Sequence, residues 1–155
     1  MTDSSAPQIA QAGDTVAIAS DHAGFELKQA LRADLASMGF KVLDLGTDSG
    51  TASVDYPDFG KALGKAIAAG QAKAGVAICG TGIGISIAAN RIPGVRAALV
   101  HDVNTAALAR EHNDANIIAM GARVNEPAQA RAMLKTFFTT PFAGGRHAGR
   151  VAKLG

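Results

Sequence analysis

The residues best suited to chemistry in this chain lie together at positions 75–90, G-V-A-I-C-G-T-G-I-G-I-S-I-A-A-N. Cys79 is the only cysteine; Gly80, Gly82 and Gly84 alternate after it, and Thr81 puts a hydroxyl between the first two. Val76-Ala77-Ile78 is a short β-prone run and residues 85–90 can wind into a helix, so the glycines fall at a strand-to-helix junction. Glycines there permit positive φ and let N–H groups converge at the positive end of the helix dipole, which makes an anion cradle. Aligned amides at a helix start also favour a thiolate over a thiol. A base beside such donors suits removal of a proton next to a carbonyl, because the enediolate oxygen must be stabilised as it forms. Isomerisation of a small phosphorylated substrate is the expected chemistry. A lone cysteine is by itself more often a buried filler; the flanking glycines and Thr81 turn the reading toward an acid–base group.

Other uses of a glycine loop fit less well. A dinucleotide loop needs G-x-G-x-x-G after the first strand, whereas this chain has G-x-G-x-G after the third; Asp102, roughly twenty residues on, keeps that reading open as a rival. A phosphate loop of the Gly-Lys-Ser/Thr type lacks its lysine, and Gly84-Ile85-Ser86 offers no arginine of the kind a cysteine phosphatase needs. The four histidines show no paired ligand spacing and there is no second cysteine, so no metal and no cofactor are expected. His22 and His112 suit proton transfer, although each taken singly reads equally as a surface or capping residue. His101 reads as a lead-in to an Asp102 cap, and Asp21 either orients His22 or caps the first helix.

These groups need a frame, and the periodicity supplies one. Strands are expected at 15–19, 41–45, 76–78, 95–100 and 115–120. Helices are expected at 25–38, from Pro57 to Gly70, and at 85–90, 104–112 and 126–139. Regular alternation implies an α/β fold, a three-layer αβα Rossmann-like sandwich around a five-stranded parallel sheet. Ligands in such folds sit beyond the carboxyl ends of the strands. This reading puts Asp21, His22, Cys79, Thr81, His101, His112, Asn113 and Arg123 on that one edge. Residues 1–14 read as a loose tail and 15–155 as a single domain ending in a basic helix. Arg146, Arg150 and Lys153 share one face of that helix, a repulsion of about 0.2–0.5 kcal/mol per pair. A bound phosphate dianion would reverse it; the plainer alternative is a solvated basic tail.

Composition narrows the class. Fifteen basic residues against thirteen acidic give a net charge of +2, too balanced for general nucleic-acid binding. One cysteine excludes an intrachain disulfide, and no apolar run reaches the ~20 residues of a membrane helix. Residues 1–7 lack the basic start and apolar core of a secretion signal, so the cytoplasm is the expected location. Alanine and glycine are abundant while aromatics are only 5%, so helices are expected to sit close to the sheet.

Several stretches together resemble the ribose-5-phosphate isomerase B family, which includes allose- and galactose-6-phosphate isomerases. They are Ser20-Asp21-His22-Ala23-Gly24-Phe25-Glu26-Leu27-Lys28, Asp55-Tyr56-Pro57, the run from Cys79 through Gly80-Thr81-Gly82-Ile83-Gly84 to Asn90, Glu111-His112-Asn113-Asp114-Ala115-Asn116 and Gly145-Arg146-His147. The resemblance runs from about Thr15 to the C-terminus. It implies interconversion of D-ribose 5-phosphate and D-ribulose 5-phosphate through a cis-enediolate, a step of the pentose phosphate pathway, without metal or cofactor. On that resemblance Cys79 is the base, Thr81 assists proton exchange at the oxygens, and the amides of Gly80, Gly82 and Gly84 hold the developing charge. His112 opens the furanose ring with Asp21 and Tyr56 near that end, Asn113 binds sugar oxygens, and His22, Arg123, Arg146 and Arg150 hold the phosphate. It further implies a homodimer, or a tetramer built from it, with sites shared between subunits. Allose or galactose 6-phosphate as substrate, and a non-catalytic sugar-phosphate-binding module, are the alternatives.

Overall fold

The computed structural model describes residues 6–155. Five strands form one parallel sheet in the order β2-β1-β3-β5-β4: β1 (Thr15–Ser20), β2 (Lys41–Asp44), β3 (Ala74–Cys79), β4 (Ala97–Leu99) and β5 (Ile117–Gly121). The helices are α1 (Phe25–Ser37), α2 (Tyr56–Ala68), α3 (Ile83–Asn90), α4 (Val103–Glu111), α5 (Pro127–Thr139) and α6 (Arg146–Ala152). The strand–helix alternation read from the sequence is therefore the fold. β4 is three residues long, shorter than the six expected, although its flanks still bond toward β5: Arg96 N–H donates to the Asn116 side chain, and Val100 N–H donates to Ala119 O.

The central strands β1, β3 and β5 are buried nearly throughout, as parallel strands covered on both faces must be. Alternate residues face two cores. Val16, Ile18, Val76, Ile78, Ile118 and Met120 pack toward α1, α4 and α5; Ala17, Ala19, Ala77, Cys79, Ile117 and Ala119 pack toward α2 and α3. The second core is thin because its side chains are small. Gly75 lets the Leu63 side chain of α2 rest on β3, and Gly60 and Gly64 bring α2 against the Ile85 and Ala89 carbonyls of α3. A methyl added at any of these three glycines would meet an atom within 3.0 Å. The close helix–sheet packing expected from the alanine and glycine content is thereby borne out.

Capping follows the sequence. Asp21 accepts from Gly24 N–H at 3.1 Å in a short 3-10 turn (His22–Gly24) that leads into α1. Asp102 and Thr105 form a reciprocal capping box on α4, which gives Asp102 the structural role that was one of its two readings. Thr105 hydrogen bonds hold the Asp102 carboxyl below its usual value. At the sheet's outer edge the Asn90 side chain accepts from Ala97 N–H at 2.7 Å and donates to Ala97 O at 2.9 Å.

The segment before β1 departs from expectation. Of the expected tail 1–14, residues 1–5 lie outside the described residues. The rest is not loose: Ala10 is buried, Ile9 packs against the first core, and Gly13 N–H donates to Gly39 O. A short apolar pair without periodicity gives no helix or strand signal, yet it can still fill space between α1 and α5.

Candidate active site

Parallel topology decides which residues can meet. Each helix runs back against its strands, so a residue at a helix C-terminus lies at the edge where strands begin. Cys79 ends β3, Ser20 precedes Asp21 at the end of β1, and Gly121 ends β5, so Asp21, His22, Cys79, Thr81 and Arg123 share the carboxyl edge. His112 caps the C-terminus of α4 and leads through Asn113 into β5. The expectation that His112 and Asn113 lie on the carboxyl edge is thus corrected: they lie on the amino edge. β5 alone, at ~3.3 Å per residue, separates the two edges by roughly 15 Å.

The carboxyl-edge half is built on the loop after β3. Cys79 is 4% exposed, and its Sγ accepts from Gly82 N–H at 3.1 Å. Thr81 Oγ1 accepts from Ile83 N–H at 3.2 Å, which orients the exposed hydroxyl at the start of α3. Of the three loop glycines only Gly82 has positive φ, +80°. The other two are glycine for a different reason. A Cβ on Gly80 would lie 3.2 Å from an Arg123 guanidinium nitrogen, and one on Gly84 would clash with the Tyr56 ring. Gly80 and Gly84 are flat seats that let Arg123 and Tyr56 lie against the loop backbone. The Arg123 N–H in turn donates to Gly80 O at 2.9 Å, and Ala122 N–H donates to Cys79 O.

His22 sits beside this loop, and its Nδ1 accepts from Val54 N–H at 3.1 Å. An imidazole nitrogen that accepts carries no proton, so the ring presents Nε2–H as its donor. The same bond ties down the end of the long β2–α2 loop, whose Gly50 rests on Phe25. Asp21 is buried and is used by the Gly24 cap, which was one of its two expected roles.

The amino-edge half gathers His112, Asn113, Arg146 and Arg150. The His112 and His147 rings stack at 4.3 Å with an interplanar angle of 16°. A cavity of about 310 Å³ lies between Glu111, His112, Gly145, Arg146 and His147, and an adjoining one of about 290 Å³ takes in Asn113 and Arg150. Partial burial, then the charges of His112, Arg146 and Arg150, draw the His147 imidazole below its usual value. Arg123, Arg146 and Arg150 make no ion pair among the described residues. A further hollow of about 490 Å³, between α1 and α5, lies away from both halves and is crossed by the Arg131–Asp34 pair.

Residue typing alone assigned no role to His147, though it stands beside Arg146 in a quoted stretch. Nor did it single out Asp114 or Arg110, whose contacts shape the His112 turn. The i,i+4 spacing of Arg110 and Asp114 was the available signal. Among the described residues no group of three or more His, Cys, Asp and Glu is placed to hold a metal ion.

Among the described residues, a parallel αβα sandwich thus carries a thiol beside backbone amides at one edge of its sheet and arginines without an ion pair at both edges. The comparisons are more specific. The family described as Ribose/Galactose Isomerase matches residues 16–154. The chain is 45% identical over 139 residues to a putative sugar phosphate isomerase of Bacillus subtilis, covering 90% of this chain and 93% of that one. It is 40% identical to ribose-5-phosphate isomerase B of Escherichia coli, with the same coverage of 90% and 93%. The solved structure of Clostridium thermocellum ribose-5-phosphate isomerase B superposes with a TM-score of 0.89 at 47% identity, covering 91% of this chain and 95% of that one. The type B ribose 5-phosphate isomerase of Trypanosoma brucei does so with a TM-score of 0.88 at 41% identity, covering 92% and 97%. This chain belongs to the ribose/galactose isomerase family and is an isomerase.

Proposed function

We propose that the protein interconverts D-ribose 5-phosphate and D-ribulose 5-phosphate through a cis-enediolate, at a site assembled from the carboxyl edge of one copy and the amino edge of a second. The observation that carries the reading is the position of the sole cysteine sulfur at the start of α3. There Gly82 N–H already points at it, and Arg123 and Tyr56 lie against Gly80 and Gly84 of the same loop.

The Cys79 thiolate takes the proton from C2 of the open-chain aldose. Electrons of the C2–H bond form the C1–C2 double bond, and those of the C1 carbonyl move onto O1. The amides at the start of α3 stabilise that oxygen. The thiol then returns its proton to C1, while the Thr81 hydroxyl helps move the proton from O2 to O1, leaving the C2 ketone. His22, through Nε2–H, and Arg123 hold the phosphate from one side. His112 of the second copy opens the furanose beforehand, its Asn113 binds sugar hydroxyls, and its Arg146 and Arg150 close on the phosphate.

A second copy is supported by the separation of the two edges, which no single chain can bridge. It is supported also by apolar side chains left outside. Ile83 and Ile87, one turn apart on α3, are 51% and 54% exposed, and Leu154 beyond α6 is 63% exposed. A two-fold arrangement with the strands of the two copies running oppositely would cover such a stripe and bring unlike edges together. The cytoplasm is the proposed location: the mechanism needs Cys79 as a free thiol, and no helix of the described residues is long and apolar enough to cross a membrane.

Incubation with ribose 5-phosphate, allose 6-phosphate and galactose 6-phosphate in separate reactions, following ketose formation, tests the proposal. Turnover of ribose 5-phosphate well above the hexose phosphates is expected. Saturable binding with no ketose would instead make the protein a binding module.

A further inference from the structure

Asp114 is the single non-glycine residue with positive φ, +46°, among the described residues, and it directly follows His112 and Asn113. Aspartate tolerates this conformation better than most residues, but a folded chain keeps it only where the surroundings fix it. Here they do so from both sides. Asp114 N–H donates to Arg110 O at 3.2 Å, and Arg110 donates back to Asp114 Oδ1 at 2.8 Å. Arg96, which lies just before β4, donates through Nε to Asp114 O at 3.0 Å and brings a second nitrogen 3.5 Å from Oδ2.

Arg110 is 2% exposed, a rare place for a guanidinium. It also donates to Ala115 O at 2.7 Å and Thr140 O at 3.3 Å, so it ties the end of α4 to the approach to β5 and the end of α5. Burying a charge in this way is costly, and hydrophobic packing could close the same space. What the arrangement secures is the turn between α4 and β5, and that turn carries His112 and Asn113.

We propose that the Arg96–Asp114–Arg110 clasp positions His112 for opening of the sugar ring, which makes Asp114 and Arg110 positioning residues for that step and not for the proton transfer at Cys79. The inference rests on the assignment of ring opening to His112 given above. In that step the C1–O4 bond breaks, O4 gains a proton, the anomeric hydroxyl loses one and C1=O forms. One proton moves in net, so a single imidazole that takes one and gives the other suffices, provided it reaches both oxygens. A clasp that fixes the ring to within a fraction of an ångström therefore bears on the rate.

Ring opening can be isolated in Cys79→Ala, where the isomerisation base is gone. Exchange NMR on the two anomers of ribose 5-phosphate then reports opening and closure alone, and this variant is expected to accelerate anomer exchange over buffer. Adding Asp114→Ala is expected to lower that acceleration by about tenfold or more, with ribose 5-phosphate binding by calorimetry changed by less than about threefold. Adding Asp114→Asn, which tolerates the same backbone but keeps one acceptor oxygen where the two arginines face both, is expected to lower the acceleration less than Asp114→Ala does. If Asp114→Ala does not fold, Arg96→Met, which removes one side of the clasp, is expected to show the same selective loss at smaller size. Unchanged exchange, or binding lost in the same proportion as exchange, would overturn the inference. Adding His112→Asn to Cys79→Ala must erase the acceleration. If it does not, the ring-opening assignment has failed, a result distinct from loss with His112→Asn and none with the clasp variants.

Discussion

The two halves of the proposed site are made rigid in opposite ways. At the carboxyl edge the order comes from leaving side chains out: Gly80 and Gly84 provide bare backbone on which Arg123 and Tyr56 lie, and Gly82 turns an amide toward the Cys79 sulfur. At the amino edge it comes from adding charge: a buried arginine and a second, partly buried one grip Asp114 and hold the turn behind His112. A cradle for a developing oxyanion needs close backbone approach, which glycine supplies. A proton-transfer group needs a fixed direction, which a hydrogen-bonded clasp supplies. The two halves also belong to different reaction steps in the proposed mechanism, so each can be broken without the other.

The largest effect is expected at the carboxyl edge. Cys79→Ala should lower kcat for ketose formation by about 10²–10⁴-fold, the span of a general base. Substrate binding by calorimetry should change little, because the phosphate contacts come from other residues; a loss confined to KM would remove Cys79 from the chemistry. Next comes a mixing experiment that joins the halves. Cys79→Ala and His112→Asn, each nearly inactive, should regain about a quarter of wild-type sites when co-refolded, since half the random dimers are mixed and each holds one intact pair. No recovery would mean that the two edges do not meet across copies.

A smaller effect is expected from the glycine seats. Gly84→Ala should displace the Tyr56 ring and raise KM by roughly tenfold. Combining it with Tyr56→Ala should cost less than the two single changes together, because the clash is gone; strict additivity would show that Gly84 serves something other than the ring. The smallest concerns pH. The folded His147 binds its proton less readily than an unfolded one, so the unfolded state takes up protons first as pH falls. Stability from this group is then full above the ordinary histidine value and declines as pH drops through it toward the lowered one. Thermal melts between pH 7.5 and 5 should fall slightly more steeply for the wild type than for His147→Gln; equal slopes would show that His147 binds its proton alike in the folded and unfolded chains.

The carboxyl-edge half was legible because its residues are local. Cys79, Thr81 and the glycines occupy six consecutive positions, and a strand-to-helix junction follows from their neighbours alone. The element pattern was legible for the same reason, with boundaries displaced by a few residues, as at β4. The edge assignment of His112 and Asn113 failed because a helix of nine residues reverses the chain, and whether a residue precedes or follows that reversal decides its edge. Residue type carries no trace of it. The reason for Gly80 and Gly84 was equally hidden, since Tyr56 and Arg123 are distant in sequence from the backbone they cover. The clasp could be glimpsed only as an i,i+4 pair, because Arg96 reaches Asp114 from another element.

One small contact at the margin of the sheet bears on how the sheet ends. Because the Asn90 amide already occupies both polar groups of Ala97, β4, one of the sheet's two edge strands, offers a newcomer neither donor nor acceptor there. A strand laid against β4 would find no partner at Ala97, so lengthening of the sheet past this edge is discouraged at its first step.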